Sequence, residues 1–347
     1  KYKTMKWFKW ILSPLSILFD LITRARNSLY DLGFLNQFKL KIPIIGVGNI
    51  TVGGTGKTPH SEYIAKILDS KYKLALLSKG YGRNTNNFNY VEIKSKAVEV
   101  GDEALQSKQN FPNQIVGVDH SRVNGVQKIL KDFPQTNVFI LDDAFQHRSI
   151  KIGLNILLTD YNNPIYTDFI MPVGKLRESK RGIKRADCVI VTKCPDNLSE
   201  EEAVKIENML KFKGSVFFSK IKYEDIISMN NKTVLKSIKG KSILLITGIA
   251  NSKPILDYLK NLNLNFRHLE FSDHHKYKSK DIKKILKNYQ KSNDIILTTE
   301  KDVQKLKEFN KLMGLPIYYL KVGIDFLWNK DKFDKKIKNY VESYSSN

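Results

Sequence analysis

The chain has 347 residues, 41% of them hydrophobic and 27% charged, which excludes a disordered segment and leaves room for two domains of ordinary size. Its 58 Lys and Arg outnumber 35 Asp and Glu for a formal charge of +23. A surplus of that size points to nucleic acid, a phospholipid surface or a phosphorylated substrate as partner, or to a surface that is lysine-rich throughout.

The chain opens KYKTMKWFKWILSPLSILFDLITRARNSLYDLG, with Met5 as a natural start and Lys1 to Thr4 outside that reading. Its longest uncharged run, residues 10–19, is about half of what a bilayer needs, and no small-residue cleavage site follows it. Ser13 before Pro14 predicts a helix start, and Gly33 predicts its stop. Leu15, Leu18, Phe19, Ile22, Leu29 and Tyr30 fall on one helical stripe. Eight Lys or Arg face two acids over the first 41 residues. With Trp7, Phe8 and Trp10 just ahead, this predicts a helix lying in a membrane interface and drawn to anionic lipid. A helix packed on its own domain is the competing reading.

From residue 41 short apolar runs alternate with helical segments. IPIIGVGN, KLALLSKG, NQIVGV, NVFILDD, GLNILLTD and ADCVIVTK are continuous runs of the kind that form strands covered on both faces. They predict a doubly wound, mostly parallel sheet over residues 41–222. Two cysteines occur, Cys188 and Cys194, at a spacing that suits neither a zinc pair nor a redox pair, so a reducing cytoplasm is expected. The polar stretch 223–241 reads as a linker. Beyond it SILLITGIA, a helix over 254–261, NFRHLEFS, a lysine-rich helix, DIILTTEKD and LPIYYLKVG predict a second, smaller α/β domain over 242–347.

The loop TVGGTGKT lacks the first glycine of the usual phosphate-binding pattern, with Thr51 in its place. The rest is present. Val52, Gly53, Gly54, Thr55 and Gly56 offer backbone N–H groups to phosphate oxygens, Lys57 supplies charge, and Thr58 can ligate magnesium. A buried strand, 42–47, enters the loop and a helix starting at Pro59 leaves it, so a helix N-terminus points at the anion. Downstream, NVFILDDAFQH ends a strand in two carboxylates: Asp142 is expected to face the metal, and Asp143 to share that role or support it. A kinase also needs a group to align the accepting hydroxyl and cations to offset the moving charge. Asp102, Glu103, His274 and His275 are candidates for the first task; Lys79, Arg83 and Arg177 are candidates for the second. Spacing does not choose among them.

Taken in order, IPIIGVGNITVGGTGKTP, SKGYGR, GDEA, LDDAFQHR, MPVGKLRE, RADCVIVTK, TGIAN, FSDHHKY and TTEKD resemble the tetraacyldisaccharide 4'-kinases of lipid A biosynthesis. The resemblance runs from the N-terminal helix to about Asp302. It implies a membrane-associated enzyme that uses ATP and Mg2+ to phosphorylate the 4' hydroxyl of a tetraacylated glucosamine disaccharide 1-phosphate, at the cytoplasmic face of the inner membrane of a Gram-negative bacterium. It implies a P-loop NTPase-like domain and a smaller α/β domain joined by a β-ribbon hinge. Apart from the resemblance, a monomer is the expectation. Residue by residue, the resemblance puts the base on Asp102 with His274 of the second domain as its partner, paired when the hinge closes. Glu103, Gln146, His147, Arg177 and Glu178 match other active-site positions. Ala104 and Ala144 stand where the family often has proline and glycine.

Two other readings compete: a P-loop ATPase or GTPase acting on nucleic acid, and a cytosolic kinase of a small metabolite. The concentration of basic residues beside an aromatic and apolar helix suits a lipid surface better than nucleic acid.

Overall fold

The computed structural model describes residues 2–289 and 294–345. Along the chain these form α1 Tyr2–Asp31, β1 Ile44–Asn49, α2 Lys57–Leu68, β2 Leu74–Ser78, β3 Asn89–Tyr90, α3 Ala97–Val100, α4 Asp102–Asn110, β4 Ile115–Val118, α5 Arg122–Asp132, β5 Val138–Asp142 and β6 Leu154–Asp160. There follow β7 Cys188–Thr192, α6 Glu200–Leu210, β8 Ser215–Ser228, β9 Ser242–Thr247, α7 Lys253–Asn261, β10 Asn265–Glu270, α8 Ser279–Asn288, β11 Ile295–Thr299, α9 Glu300–Leu306, β12 Ile317–Phe326 and α10 Lys330–Ser345. The chain divides into two compact units. The first takes residues up to Lys79, Asn113–Ile221 and the chain from Ile324; the second takes Gly80–Pro112 and Lys222–Gly323.

The first unit is built on a parallel sheet in the order β8-β7-β6-β1-β5-β2-β4. The six apolar runs singled out above are its six strands other than β8. Every residue of β1 is buried, as a central strand covered on both faces requires. Complete burial of side chains such as Ile45, Val47, Ile156 and Val189 stabilises the sheet by about 1.5–3 kcal/mol each. The register pairs Val47 with Asp142, so the chain leaving β1 and the acids ending β5 emerge side by side.

The second unit carries a parallel sheet β10-β9-β11-β12, with Leu244, Ile246, Ile296 and Ile317 in one core layer and Ile243, Leu245 and Leu297 in another.

Three sequence expectations differ from what is observed. Ser13 and Pro14 do not start the first helix: α1 runs from Tyr2 to Asp31 with Pro14 inside it, at the loss of one i→i−4 hydrogen bond. The stop falls at Gly33, whose φ of 80° only glycine adopts freely. Trp7, Phe8 and Trp10 lie outside the residues whose side chains are described. Second, the start of the expected linker is strand, since β8 continues to Ser228. Its second half, with Ile226 and Ser228 buried, is a half-covered strand whose polar alternation reads as loop. Third, residues 80–112 belong with the second unit and those from 324 with the first. The former follows from α4, whose Asn110 and Glu103 bond to Glu300 and Lys301 of α9, and the latter from α10, whose Tyr340 and Asp334 bond to Ile44 N and the Tyr63 hydroxyl.

Candidate functional site

The phosphate loop of the first unit follows from β1. Gly53 at φ 118° and Gly56 at φ 86° take conformations that a side chain would strain, and Gly56 sits immediately before α2. A Cβ at Gly53 or Gly54 would meet nothing within 4 Å; that face of the loop is open. The other face is held. Thr192 Oγ1 donates to Thr55 O at 2.9 Å, and Lys193 Nζ donates to Gly54 O while pairing with Asp160 Oδ2 at 2.7 Å. With these carbonyls engaged by the end of β7, and with Thr55 N spent on Gly53 O at 3.1 Å and Val52 N on Lys175 O, the N–H groups of the loop's glycines and the N-terminus of α2 are what remain for an anion.

Thr51 is buried, accepts a hydrogen bond from Asn49 Nδ2 at 3.4 Å and bridges Leu176, while the neighbouring Val52 N donates to Lys175 O at 2.8 Å. The position that the usual pattern gives to glycine is here an extended residue anchored on both sides.

Asp142 and Asp143 divide their tasks. Thr58 Oγ1 donates to Asp142 Oδ2 at 3.1 Å, so two hard oxygens converge where α2 begins. Mg2+ keeps most of its shell as water and substrate phosphate and asks few ligands of the protein; this pair fits it. Asp143 turns the chain at φ 49° and faces cations instead. Arg177 holds it through Nη2 to Oδ1 at 2.8 Å and Nη1 to Oδ2 at 3.2 Å, and Lys57 Nζ lies 3.8 Å away. Burial pushes its carboxyl up, but the charges of Lys57 and Arg177 reverse this and hold it at about 2. The left-handed residue of the turn is Asp143, so alanine at 144 is not strained there.

Gln146 and Glu178 stand behind the loop rather than over it. Gln146 Nε2 donates to Asn49 O at 2.9 Å and Glu178 Oε1 at 2.8 Å; Glu178, 3% exposed, also takes both guanidinium nitrogens of Arg185 at 2.8 and 3.0 Å. Asn27 of α1 reaches the same carboxylate at 3.1 Å. A buried carboxylate with this many donors is fully paired and fixes its neighbours. His147 closes the turn after Asp143, its N–H donating to Ala144 O at 2.9 Å. Burial and the Arg122 charge lower its pKa to about 4, so it stands neutral at pH 7.

Asp102, Glu103 and His274 come together in the second unit, with both members of the acid–histidine pair in that one unit. The expectation that separate domains contribute them is corrected: the pair does not wait on closure. Asp102, 4% exposed, opens α4; its Oδ2 meets His274 Nδ1 at 3.2 Å and Lys305 Nζ at 3.1 Å, and its Oδ1 accepts from Glu103 N at 3.0 Å. Burial pushes its carboxyl up, and the His274 hydrogen bond with the Lys301 and Lys305 charges more than reverses that, holding it well below the usual carboxylate range. The structure also chooses between the adjacent histidines. His275 turns away to Asp281 Oδ2 at 3.1 Å and packs on Phe271. Arg83 is spent within its own loop, donating to Asn87 O at 2.6 Å, and Lys79 is exposed at the end of the first unit's β2.

Several residues were missed in the sequence. Asn49, fully buried, donates to Thr55 Oγ1 at 2.8 Å, and its own carbonyl accepts from Arg177 at 2.8 Å. Lys193, Lys301 and Lys305 stood among 58 Lys and Arg with only the helical i, i+4 spacing of the last two as a signal.

Two buried imidazoles give the first unit an acid sensitivity. His60, on α2 between Gly56 O at 2.6 Å and Ser219 Oγ at 2.9 Å, is lowered by burial to about 4, like His147. Folded pKa values below the unfolded 6.5 mean that the unfolded chain binds protons first as pH falls. Stability is therefore complete above about 6.5 and is lost toward about 4, at up to ~1.4 kcal/mol per pH unit for each histidine. Urea unfolding at pH 7 and 5 measures this, and His60→Gln is expected to give a shallower slope; an unchanged slope would clear His60.

A parallel sheet whose central strand ends in a phosphate loop, beside a strand ending in two acids, defines a P-loop phosphotransferase. The profile of the tetraacyldisaccharide-1-P 4'-kinases matches residues 8–342. The chain belongs to that family. It is 42% identical over 342 residues to the tetraacyldisaccharide 4'-kinase of Flavobacterium johnsoniae, covering 97% of this chain and 98% of that one. It is 38% identical over 365 residues to that of Bacteroides thetaiotaomicron, covering 99% and 96%. Its fold is similar to the crystal structure of the Aquifex aeolicus LpxK in complex with ATP, with a TM-score of 0.78, 28% identity and coverage of 96% of this chain and 99% of the other.

Proposed function

We propose that the chain transfers the γ-phosphate of ATP to the 4' hydroxyl of a tetraacyldisaccharide 1-phosphate, a step of lipid A biosynthesis. The observation that carries this is the convergence of Lys57, Thr58, Asp142 and Asp143 at the ends of β1 and β5, in a chain of this family. Thr51 to Thr58 hold the donor's phosphates. Thr58 and Asp142 hold Mg2+, which when bound offsets phosphate charge. Arg177 fixes Asp143 so that Lys57 is turned toward the phosphates. In the second unit Asp102, oriented by His274, aligns the accepting hydroxyl; β8 and β12, which carry the chain from one unit to the other, serve as the hinge. Gln146, His147 and Glu178 support the loop from behind. Incubation with labelled Mg–ATP and a tetraacyl disaccharide 1-phosphate in detergent tests the reading: label on the lipid is expected, and ATP binding without label transfer overturns it.

The acceptor is a lipid, and α1 supplies a way to meet it. No helix among the described residues is long and apolar enough to cross a membrane. One face of α1 is tied to the first unit: Ser16 Oγ donates to Ile170 O at 3.0 Å, and Arg148 reaches Asn27 O at 2.8 Å and Asp31 at 2.7 Å. While Phe19 and Tyr30 of the apolar stripe are half-buried, four of its residues are left in solvent, Leu15 54%, Leu18 55%, Ile22 59% and Leu29 42% exposed, with Leu21 beside them at 59%. A helix packed by its apolar face on its own domain would bury these residues. An interfacial helix on the anionic inner leaflet of a Gram-negative bacterium accounts for their exposure. Sedimentation with phosphatidylglycerol vesicles checks this. Leu18→Glu with Ile22→Glu is expected to lower the bound fraction at least about tenfold, each exposed leucine or isoleucine being worth roughly 1.5–3 kcal/mol on burial; equal pelleting would sink it.

A further inference from the structure

The acid–histidine pair of the second unit has a third member. α9 sets Lys301 and Lys305 one turn apart on the face that meets α4 and the 273–275 loop. Lys305 Nζ pairs with Asp102. Lys301 does something different: its Nζ lies 2.9 Å from Glu103 Oε1 and 3.0 Å from Nε2 of His274.

That second contact decides the chemistry of the ring. An ammonium has three donors and no acceptor. The ring nitrogen it meets must therefore offer a lone pair, which leaves the imidazole's single proton on Nδ1, 3.2 Å from Asp102 Oδ2. The opposite tautomer would set N–H against N–H at Lys301 and a lone pair against a carboxylate at Asp102. Burial works against the Lys301 charge, but the Glu103 and Asp102 carboxylates outweigh it and raise its pKa. The ammonium is accordingly present to donate at neutral pH. The other groups facing His274 do not set its tautomer: the Tyr81 ring lies against it at 4.6 Å between centroids, and Asp273 Oδ1 stands 3.9 Å from Nε2.

We propose that Lys301 is a positioning residue for the reaction, which selects the Nδ1–H tautomer of His274 and thereby turns a donor toward Asp102. Glu103 holds the lysine in place for this task. Asp102 then receives a fixed hydrogen bond along one edge and keeps its orientation toward the accepting hydroxyl. The role of the pair rests on the kinase reading given above; the tautomer assignment does not.

The test uses the full chain with 15N-labelled histidine, whose neutral tautomers differ in their ring nitrogen shifts. Among the six histidines, the His274 signals are assigned by their loss in His274→Gln. The wild type is expected to show Nδ1–H. Lys301→Met is expected to move the population toward Nε2–H, with kcat lowered on the order of 10²-fold and ATP affinity unchanged, because the donor's phosphates are held by the first unit. Lys301→Arg, which also has donors only, is expected to keep Nδ1–H and recover at least about tenfold of the lost rate. A mere charge-balancing role would lower kcat in Lys301→Met without altering the tautomer, and that result overturns the proposal, as does an Nε2–H signal in the wild type. Nδ1–H in the wild type with no phosphate reaching the lipid would overturn the kinase reading instead.

Discussion

Lys57→Met is expected to lower kcat/KM for phosphoryl transfer by about 10²–10³-fold, the range found when one preorganised donor to developing charge is removed. Lys57 is the first residue of α2, and its Nζ stands 3.8 Å from Asp143 Oδ1. That distance is a charge contact and not a hydrogen bond. The ammonium is therefore kept near the loop without its N–H groups being spent, and can turn to a phosphate at little cost. Arg177 makes this possible by taking both oxygens of Asp143 itself. The same geometry predicts that the variant folds. Lys57 is partly exposed, so losing its pair costs about 1 kcal/mol or less, and the Arg177 pair persists. Steady-state kinetics with a parallel thermal melt check both halves. A kcat/KM within threefold of wild type would remove Lys57 from the machinery, and a collapsed melt would recast it as structural.

What could be read in the sequence was what is local. The phosphate loop is eight consecutive residues between a buried strand and a helix, and the acids of β5 end an apolar run, so both declare themselves without a fold. The pairing of Asp102 with His274, 172 positions apart, has no local trace. It was anticipated only through resemblance to a family, and spacing left His274 and His275 equal. The domain boundaries failed for a related reason. Chain order placed residues 80–112 with the first sheet, whereas the contacts of α4 with α9 place them with the second.

Thr51 shows the same limit on a smaller scale. Pattern alone asks for a glycine, because it treats the position as the opening of a free turn. In the fold that residue is still extended and pinned by Leu176, and the freedom of glycine is needed at Gly53 and Gly56 instead. The exposed stripe of α1 was legible as a pattern, but its periodicity served equally for a buried helix. What separates the two is that a polar edge makes the contacts, Ser16 and Asn27 of the helix bonding to Val173 N, Glu178 and Arg148, while most of the stripe stays exposed.

Asp102→Asn is expected to lower kcat by about 10³-fold while ATP affinity stays within twofold. The carboxylate takes His274 and Lys305 on one oxygen and the Glu103 N–H on the other. An amide in its place must turn either its oxygen or its NH2 toward these three donors, and the NH2 finds no acceptor among them. The sign of the pH dependence follows from the same contacts. Asp102 is held below the usual carboxylate range, so the stability it contributes is present above its unfolded value of about 3.8 and is lost as pH falls through and beyond it. Across pH 5 to 8 it stays ionised, and kcat should show no acid limb belonging to it. A carboxylate so acidic is a weak base, yet that suits phosphoryl transfer with a loose transition state, in which the hydroxyl is aligned early and gives up its proton late. On the proposed reading, Asp102 acts first by holding the acceptor oxygen in line. An acid limb near pH 6 that vanished in Asp102→Asn would show instead a carboxyl raised for proton abstraction, and the donors around it would have to part before reaction.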